Sequence, residues 1–308
     1  MIERRGAAGV FAAGASLVLG PVLEGAGYGE VHPAEAGHNR SLTTASKSLK
    51  ISHRRSECRS PYKALSAQMA IPANPGSSET PAHRLVIIEG IMGSGKSTTM
   101  RFVAKNLQDS GQLASPLHER TDPHPVRATD ELEHWFEPWR DATPQHLADR
   151  ALGRWAAFVE ATQRDSPIPV MDGQLFHGDL THLLLMDAES ALIFNYVSAL
   201  AAIIAPLNPF VLYLWQEDVE QAVRTVCTER GSEWIDYQVN WKLASPYCVR
   251  KGYQGFEGLT SLYRDYRRIT DDLFDHLPLA KLAIENSRRD WPAYESQILN
   301  ALQLSVRP

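Results

Sequence analysis

Residues 83–111, HRLVIIEGIMGSGKSTTMRFVAKNLQDSG, carry the reading of the whole chain. The first seven form a short β-branched run bounded by polar residues and then glycine, which predicts a buried strand. Gly90 to Ser97 then match G-x-x-x-x-G-K-[ST]. Behind them Met100, Val103 and Leu107 share one face of a predicted helix that stops before Gly111. Strand, glycine loop and helix in that order are the setting in which this motif cradles phosphate. Gly90, Gly93 and Gly95 let the backbone turn tightly and aim its amides inward, and the helix start adds unpaired N–H groups and a positive dipole end. Lys96 brings a mobile charge to the outer phosphates, and Ser97 brings a hydroxyl for a magnesium shell. The expected nucleotide contacts are Gly90, Met92, Gly93, Ser94, Gly95, Lys96, Ser97 and Thr98, with ATP and Mg²⁺ as cofactors.

Further along, four more strand candidates at 113–119, 168–172, 209–215 and 281–287 are separated by helical stretches. That alternation predicts an α/β fold, a five-stranded parallel sheet with helices on both faces. Ligands of such sheets sit beyond the carboxyl ends of the strands, so the residues there are the site candidates. Asp172 ends the third strand, where it can complete a magnesium shell or take a proton from an attacking hydroxyl; the alternative is a cap for the next helix. Gln174 is a possible acceptor contact. Glu119 and Asp122 form an acidic rim suited to a polar acceptor, although Pro123 and Pro125 also make this a stiff polar turn. His118, His124, His177 and His182 show no metal-like spacing and read as scattered surface or core histidines. Residues 217–231 form an amphipathic helix carrying Arg224 and Arg230, followed by a polar, aromatic stretch at 232–255 with Arg250 and Lys251. Together they predict a lid over about 217–256 that closes positive charge onto the reaction; ordinary surface arginines are the alternative. Residues 129–166 and 175–209 read as helices with wide apolar faces, and Trp135, Phe136, Trp139 and Trp155 as core or as flat walls of an acceptor pocket.

Composition narrows the rest. The chain has 308 residues, 44% hydrophobic and 22% charged, which excludes a collagen-like, coiled-coil or wholly disordered protein. A net charge of -5 argues against a general nucleic-acid binder. Cys58, Cys227 and Cys248 form neither a disulfide framework nor a zinc motif, so a reducing, cytoplasmic setting is expected. Residues 1–80 differ from the remainder: nine Lys and Arg stand against six Glu and no Asp, and no sustained periodicity runs through them. They read as a separate, unfolded or mis-assigned arm ahead of a domain at 81–308. Met69 is a candidate true start; organelle targeting and secretion are the alternatives, because residues 6–23 are uncharged and 38–68 are basic. The domain itself calls for a small-molecule acceptor and for neither nucleic acid nor membrane as partner.

On LVIIEGIMGSGKSTTM, the rim ERTD, the strand end VMDG, the segment PFVLYLWQEDVEQAVRTVCTER and the close AIENSRRDWPAYESQILNAL, residues 83–304 resemble the nucleoside and nucleoside-monophosphate kinases. The thymidylate-kinase and deoxynucleoside-kinase branch is the nearest in pattern. The resemblance implies a P-loop NTPase three-layer sandwich with a helical lid, in which Lys96 and Ser97 bind ATP phosphates and magnesium. Asp172 would then stand at the family's acidic strand end, and Arg224 and Arg230 at its lid arginines. Gly173 stands where thymidylate kinases carry arginine, ERTDPHP only approximates their second-strand motif, and 232–256 exceeds a short lid. These departures favour a neutral hydroxyl acceptor over a monophosphate. From another class, a regulatory nucleotide-binding protein remains an alternative, and a toxin-like kinase of sugar nucleotides a third reading. An NKxD guanine-reading motif is absent from the sequence, which lowers a switch GTPase.

Overall fold

Alternation within β1 (Val86–Gly90) sets up two cores at once. Leu85 and Ile87 face one side of the sheet while Val86 and Ile88 face the other, all at most 1% exposed. A strand buried on both faces has no polar side, which is why it reads as a continuous apolar run. The computed structural model describes residues 83–162 and 166–304; the expectations for the arm, Met69 and Cys58 lie outside them.

After β1 the chain runs through α1 (Lys96–Asp109), β2 (Ala114–Leu117), α2 (Pro144–Ala161), β3 (Ile168–Asp172), α3 (Asp179–Leu185), α4 (Ser190–Ile204) and β4 (Phe210–Trp215). It continues with α5 (Val219–Arg230), α6 (Ser232–Leu243), α7 (Pro246–Lys251), α8 (Gly255–His276), β5 (Ala280–Glu285) and α9 (Trp291–Ala301). The five strands are all parallel, in the order β2-β3-β1-β4-β5. One core joins Val86, Ile88, Val170 and Leu212 to α1 and α9 through Met100, Val103, Leu107 and Ile298. The other joins Ile87, Met171, Val211 and Tyr213 to α2, α3, α4, α5 and α8. Each fully buried side chain of this size stabilises by about 1.5–3 kcal/mol. The α/β layering with helices on both faces therefore follows from period-two strands that are apolar on both sides.

Residues 129–143 differ from expectation. They are short 3-10 turns at Ala128–Glu131 and Pro138–Arg140 with irregular chain between them, not helix. Pro138 and Pro144 explain the break: each lacks an N–H, and Pro144 instead opens α2 at its first turn, where Thr143 accepts the His146 amide at 3.2 Å. Trp155 is fully buried core, while Trp135 is 43% exposed. The stretch Ser190–Leu207 is long and apolar enough to cross a bilayer by length and composition, but α4 packs Ile193, Tyr196, Leu200 and Ile204 into the core alongside α2.

Candidate functional site

The loop after β1 is a tight backbone cradle at the carboxyl end of the central strand. Gly95, at φ 92°, is the N-cap of α1, and Thr99 N–H is the amide that returns to its carbonyl at 2.9 Å. Gly93, at φ 74°, also lies against α5: a Cβ there would come within 1.8 Å of Val226 Cγ2. The motif glycine is thus needed twice, for backbone angle and for helix approach. Lys96 is 6% exposed and lays its Nζ across the loop onto the Ile91 carbonyl at 3.2 Å. Asn286, just beyond β5, donates from Nδ2 to the Ser94 carbonyl and fixes the loop from the opposite side. Met92 sends its side chain into the core, leaving only its backbone to the loop, and Thr98 is exposed in the first turn of α1.

Beside the loop stands Asp172, paired in register with Ile88 and fully buried. The Ser97 hydroxyl donates to its Oδ2, and its Oδ1 is buried without a hydrogen-bond partner among the described residues. His118 Nε2 lies 3.5 Å from the same Oδ2. Because His118 Nδ1 accepts the Arg120 amide at 3.0 Å, the Nε2 nitrogen carries the proton and faces the carboxylate. An oxygen set of hydroxyl and carboxylate is what a hard cation such as Mg²⁺ takes.

Glu89 escaped the sequence reading, which took it as the polar end of a strand. Its carboxylate is fully buried and accepts three successive amides, from Leu175 at 2.7 Å, Phe176 at 2.9 Å and His177 at 3.0 Å. Burial nevertheless pushes its pKa up to about 7 against those hydrogen bonds and the Lys96 charge. A lone carboxylate closing an otherwise apolar run was the signal for it. The three bonds tie β1 to the turn that carries Gln174 and His177. Gln174 sits in that turn at φ 93°, 2% exposed, with Oε1 unpartnered among the described residues. Gly173, at φ 78°, has its missing Cβ position 2.9 Å from the His177 carbonyl oxygen, so this backbone leaves no room for an arginine there.

His177 Nε2 meets Glu119 Oε2 at 3.3 Å, a pairing across 58 residues that helical spacing cannot reveal. Burial, and after it the Lys96 charge, holds His177 below the usual imidazole range, so it serves as a neutral donor. Burial opposes ionisation of Glu119, but the His177 hydrogen bond and the Lys96 charge outweigh it and keep the carboxyl well below the usual carboxylate range. His118 and His177, read from sequence as scattered, thus flank the two acidic candidates; among the described residues no three-residue metal cluster of His, Cys, Asp or Glu occurs.

Other candidates stand apart. The Asp122 side chain is 87% exposed, with Arg127 at 3.9 Å. Arg224 is held by Glu220 at 2.8 Å, with Glu257 at 3.6 Å and the Phe256 ring at 4.7 Å, on the side of α5 away from Val226. Arg230 follows Val226 by one turn and stacks on Trp234 at 5.2 Å. The 232–255 stretch expected to belong to a lid is folded as α6 and α7, with α6 packed on α8.

No family model matches the chain, and no curated protein matches it. Among solved structures it is similar to the YorR protein of Bacillus subtilis, determined in complex with phosphorylated GDP. The identity is 12% and the TM-score 0.38, over 71% of this chain and 96% of YorR.

Proposed function

We propose that the chain is a P-loop kinase, an ATP- and Mg²⁺-dependent phosphotransferase acting on a small hydroxyl-bearing acceptor. The observation that carries this reading is the Ser97–Asp172 hydrogen bond directly beside the Lys96 loop, which joins a phosphate cradle to a buried carboxylate. Loop amides and the Lys96 ammonium bind the phosphate chain, and the first-turn amides of α1 face the same anion. Ser97 and Asp172 would hold Mg²⁺, consistent with the unpartnered buried Asp172 Oδ1. When bound, the ion neutralises charge on the transferring phosphoryl group. Glu119, oriented by the His177 N–H, accepts a hydrogen bond from the acceptor hydroxyl and aims its oxygen at the phosphorus. Positioning of this kind supplies most of the catalysis in phosphoryl transfer, because its loose transition state asks little of a base.

The test is transfer of label from γ-labelled ATP to a panel of nucleosides, nucleoside monophosphates and amino-alcohols, with and without Mg²⁺. Label appearing on an acceptor only with Mg²⁺ supports the reading. Nucleotide binding without turnover, or ATP hydrolysis indifferent to every acceptor, overturns it in favour of a nucleotide-binding protein that acts through its conformation.

A further inference from the structure

We propose that Lys242, on the inner face of α6, is the recognition point for the acceptor, and that the acceptor carries an anionic group, phosphate or carboxylate, held by its ammonium. The inference rests on the phosphotransfer reading above and specifies its substrate.

Helix α6 is built against the usual rule. Its two buried side chains are both polar and one turn apart, Gln238 at 7% and Lys242 at 4% exposure. Its apolar residues, Trp234, Ile235, Val239, Trp241 and Leu243, reach the core only partly buried. A helix that serves packing buries an apolar stripe; one that buries an amide and an ammonium has another use for that face. Lys242 Nζ donates to the Tyr263 hydroxyl at 2.7 Å and lies 4.9 and 5.0 Å over the Trp241 and Tyr263 rings. Among the described residues no carboxylate comes within ion-pair distance of it, the Glu119 charge acting on it from farther off, and the Gln238 side chain makes no hydrogen bond to another described residue. A buried cation whose direct contacts are one hydroxyl and two ring faces is poorly compensated until an anion reaches it. Burial pushes the Lys242 ammonium down to about 8, so at pH 7 it is still mostly a cation.

Lys242 lines a cleft whose other polar groups come from His177, Thr181, Tyr263 and Tyr266, and whose apolar walls are Leu184, Leu185 and Leu262. The room inside is about 10 Å³, enough for a water, so an acceptor enters only when α6 moves outward, as a lid does. His177 carries Glu119, so the cleft has a carboxylate near one end and an ammonium at the other. A molecule with a hydroxyl at one end and an anion at the other matches that polarity. Gly173 excludes a cation from the β3 turn, and Lys242 supplies one from the opposite wall.

The experiment is calorimetric titration of the full chain saturated with Mg²⁺-ADP. The probes are inorganic phosphate and a three-carbon series: glycerol 3-phosphate, D-glycerate and glycerol. The expected result is that one or both anionic members bind at least tenfold tighter than glycerol; the phosphate and carboxylate members tell the two anions apart. Lys242→Met is expected to erase that difference and Lys242→Arg to keep part of it, with Mg²⁺-ADP affinity within twofold of wild type. Equal binding of glycerol, no binding of any anion, or anion affinity untouched by Lys242→Met overturns the proposal. Should Lys242→Met fail to fold, Lys242→Gln is read in the same titration, and unchanged anion affinity there overturns it. Failure of the phosphotransfer reading shows differently, as no Lys96-dependent heat with Mg²⁺-ADP.

Discussion

The two walls of the candidate site are made of different material. The wall formed by Gly90–Ser97 is mostly backbone: amides, a helix start and one lysine, all from eight consecutive residues. The facing wall is mostly side chain, with Glu119, Asp172, His177 and Lys242 brought from the turn after β2, β3, the turn after β3 and α6. The backbone part of the cradle needs only local angles and carries no net charge, so Lys96 is the one buried charge it has to hold. A wall of buried acids and bases is held in place by hydrogen bonds such as the three amides on Glu89, and each charge in it is desolvated. The first wall is therefore sensitive to single residues in function, and the second in both function and stability.

The largest effect expected is at the cradle. Lys96→Ala removes the one mobile charge of the first wall, and removal of a single charge-stabilising donor costs about 10²–10³-fold in rate. We expect a loss of that size in phosphate transfer with the unfolding midpoint within a few degrees of wild type, read by labelled ATP and thermal melts side by side. A fold that collapses with the substitution would break the distinction between the walls.

The charged wall is exposed by pH. Asp179, at the start of α3 and two residues beyond His177 of that wall, is fully buried, accepts the Ala128 amide at 3.2 Å and has Oδ2 unpartnered among the described residues. Burial lifts its pKa from 3.8 to about 7, so its contribution to stability is complete below 3.8 and drains away as pH rises through 7. Glu89 behaves with the same sign between 4.5 and about 7. Asp179→Asn keeps the acceptor and has no charge to desolvate. It is expected to match wild type near pH 4 and to exceed it at pH 8 by on the order of 2–4 kcal/mol in urea unfolding. An Asn variant whose advantage shrinks as pH rises would show that burial does not govern this group.

The same contrast explains what the sequence could disclose. The cradle and the sheet were legible because their signals are contiguous: a motif flanked by a strand and a helix, and period-two runs that become β1 to β5. Glu119 and Asp172 could be picked out because they stand at strand ends. Their partners could not, since His177 reaches Glu119, and His118 reaches Asp172, only after β2 and β3 pair. Gly173 looked like a missing arginine; its backbone angle and the His177 carbonyl show why a side chain is excluded. The turns at 129–143 were mistaken for helix because Trp135, Phe136 and Trp139 repeat at near-helical spacing, and the two prolines outweigh that pattern. Helix α6 gave no sign of its buried face, because apolar periodicity cannot detect a polar stripe.

Within the charged wall, Glu119→Gln tests whether the side-chain network positions chemistry. The amide is isosteric but no longer an anion beside Lys96 and the His177 N–H. We expect phosphate transfer to fall by about 10²-fold, the low end of the range attributed to a single positioned proton-accepting group, with ATP binding unchanged. An equal loss in ATP affinity would place Glu119 on the nucleotide side instead.

The smallest effect separates the two arginines of α5. Arg224 is already engaged by Glu220 and stacked on Phe256, and Glu220 is shared with Arg264 at 2.6 Å, so this cluster is a surface latch between α5 and α8. Exposed ion pairs of this kind contribute little, and Arg224 lies two residues from Val226, on the side of the helix that turns away from Gly93. Arg224→Ala is expected to leave both ATP affinity and transfer rate within threefold of wild type. Arg230, a turn beyond the residue that touches the cradle, is the better placed to reach phosphate when the segment closes, so Arg230→Ala should cost more than Arg224→Ala in transfer rate. The reverse order, measured in one assay at saturating Mg²⁺-ATP, would mean that α5 rotates or unwinds on closing and that the first wall includes more than the eight residues of its loop.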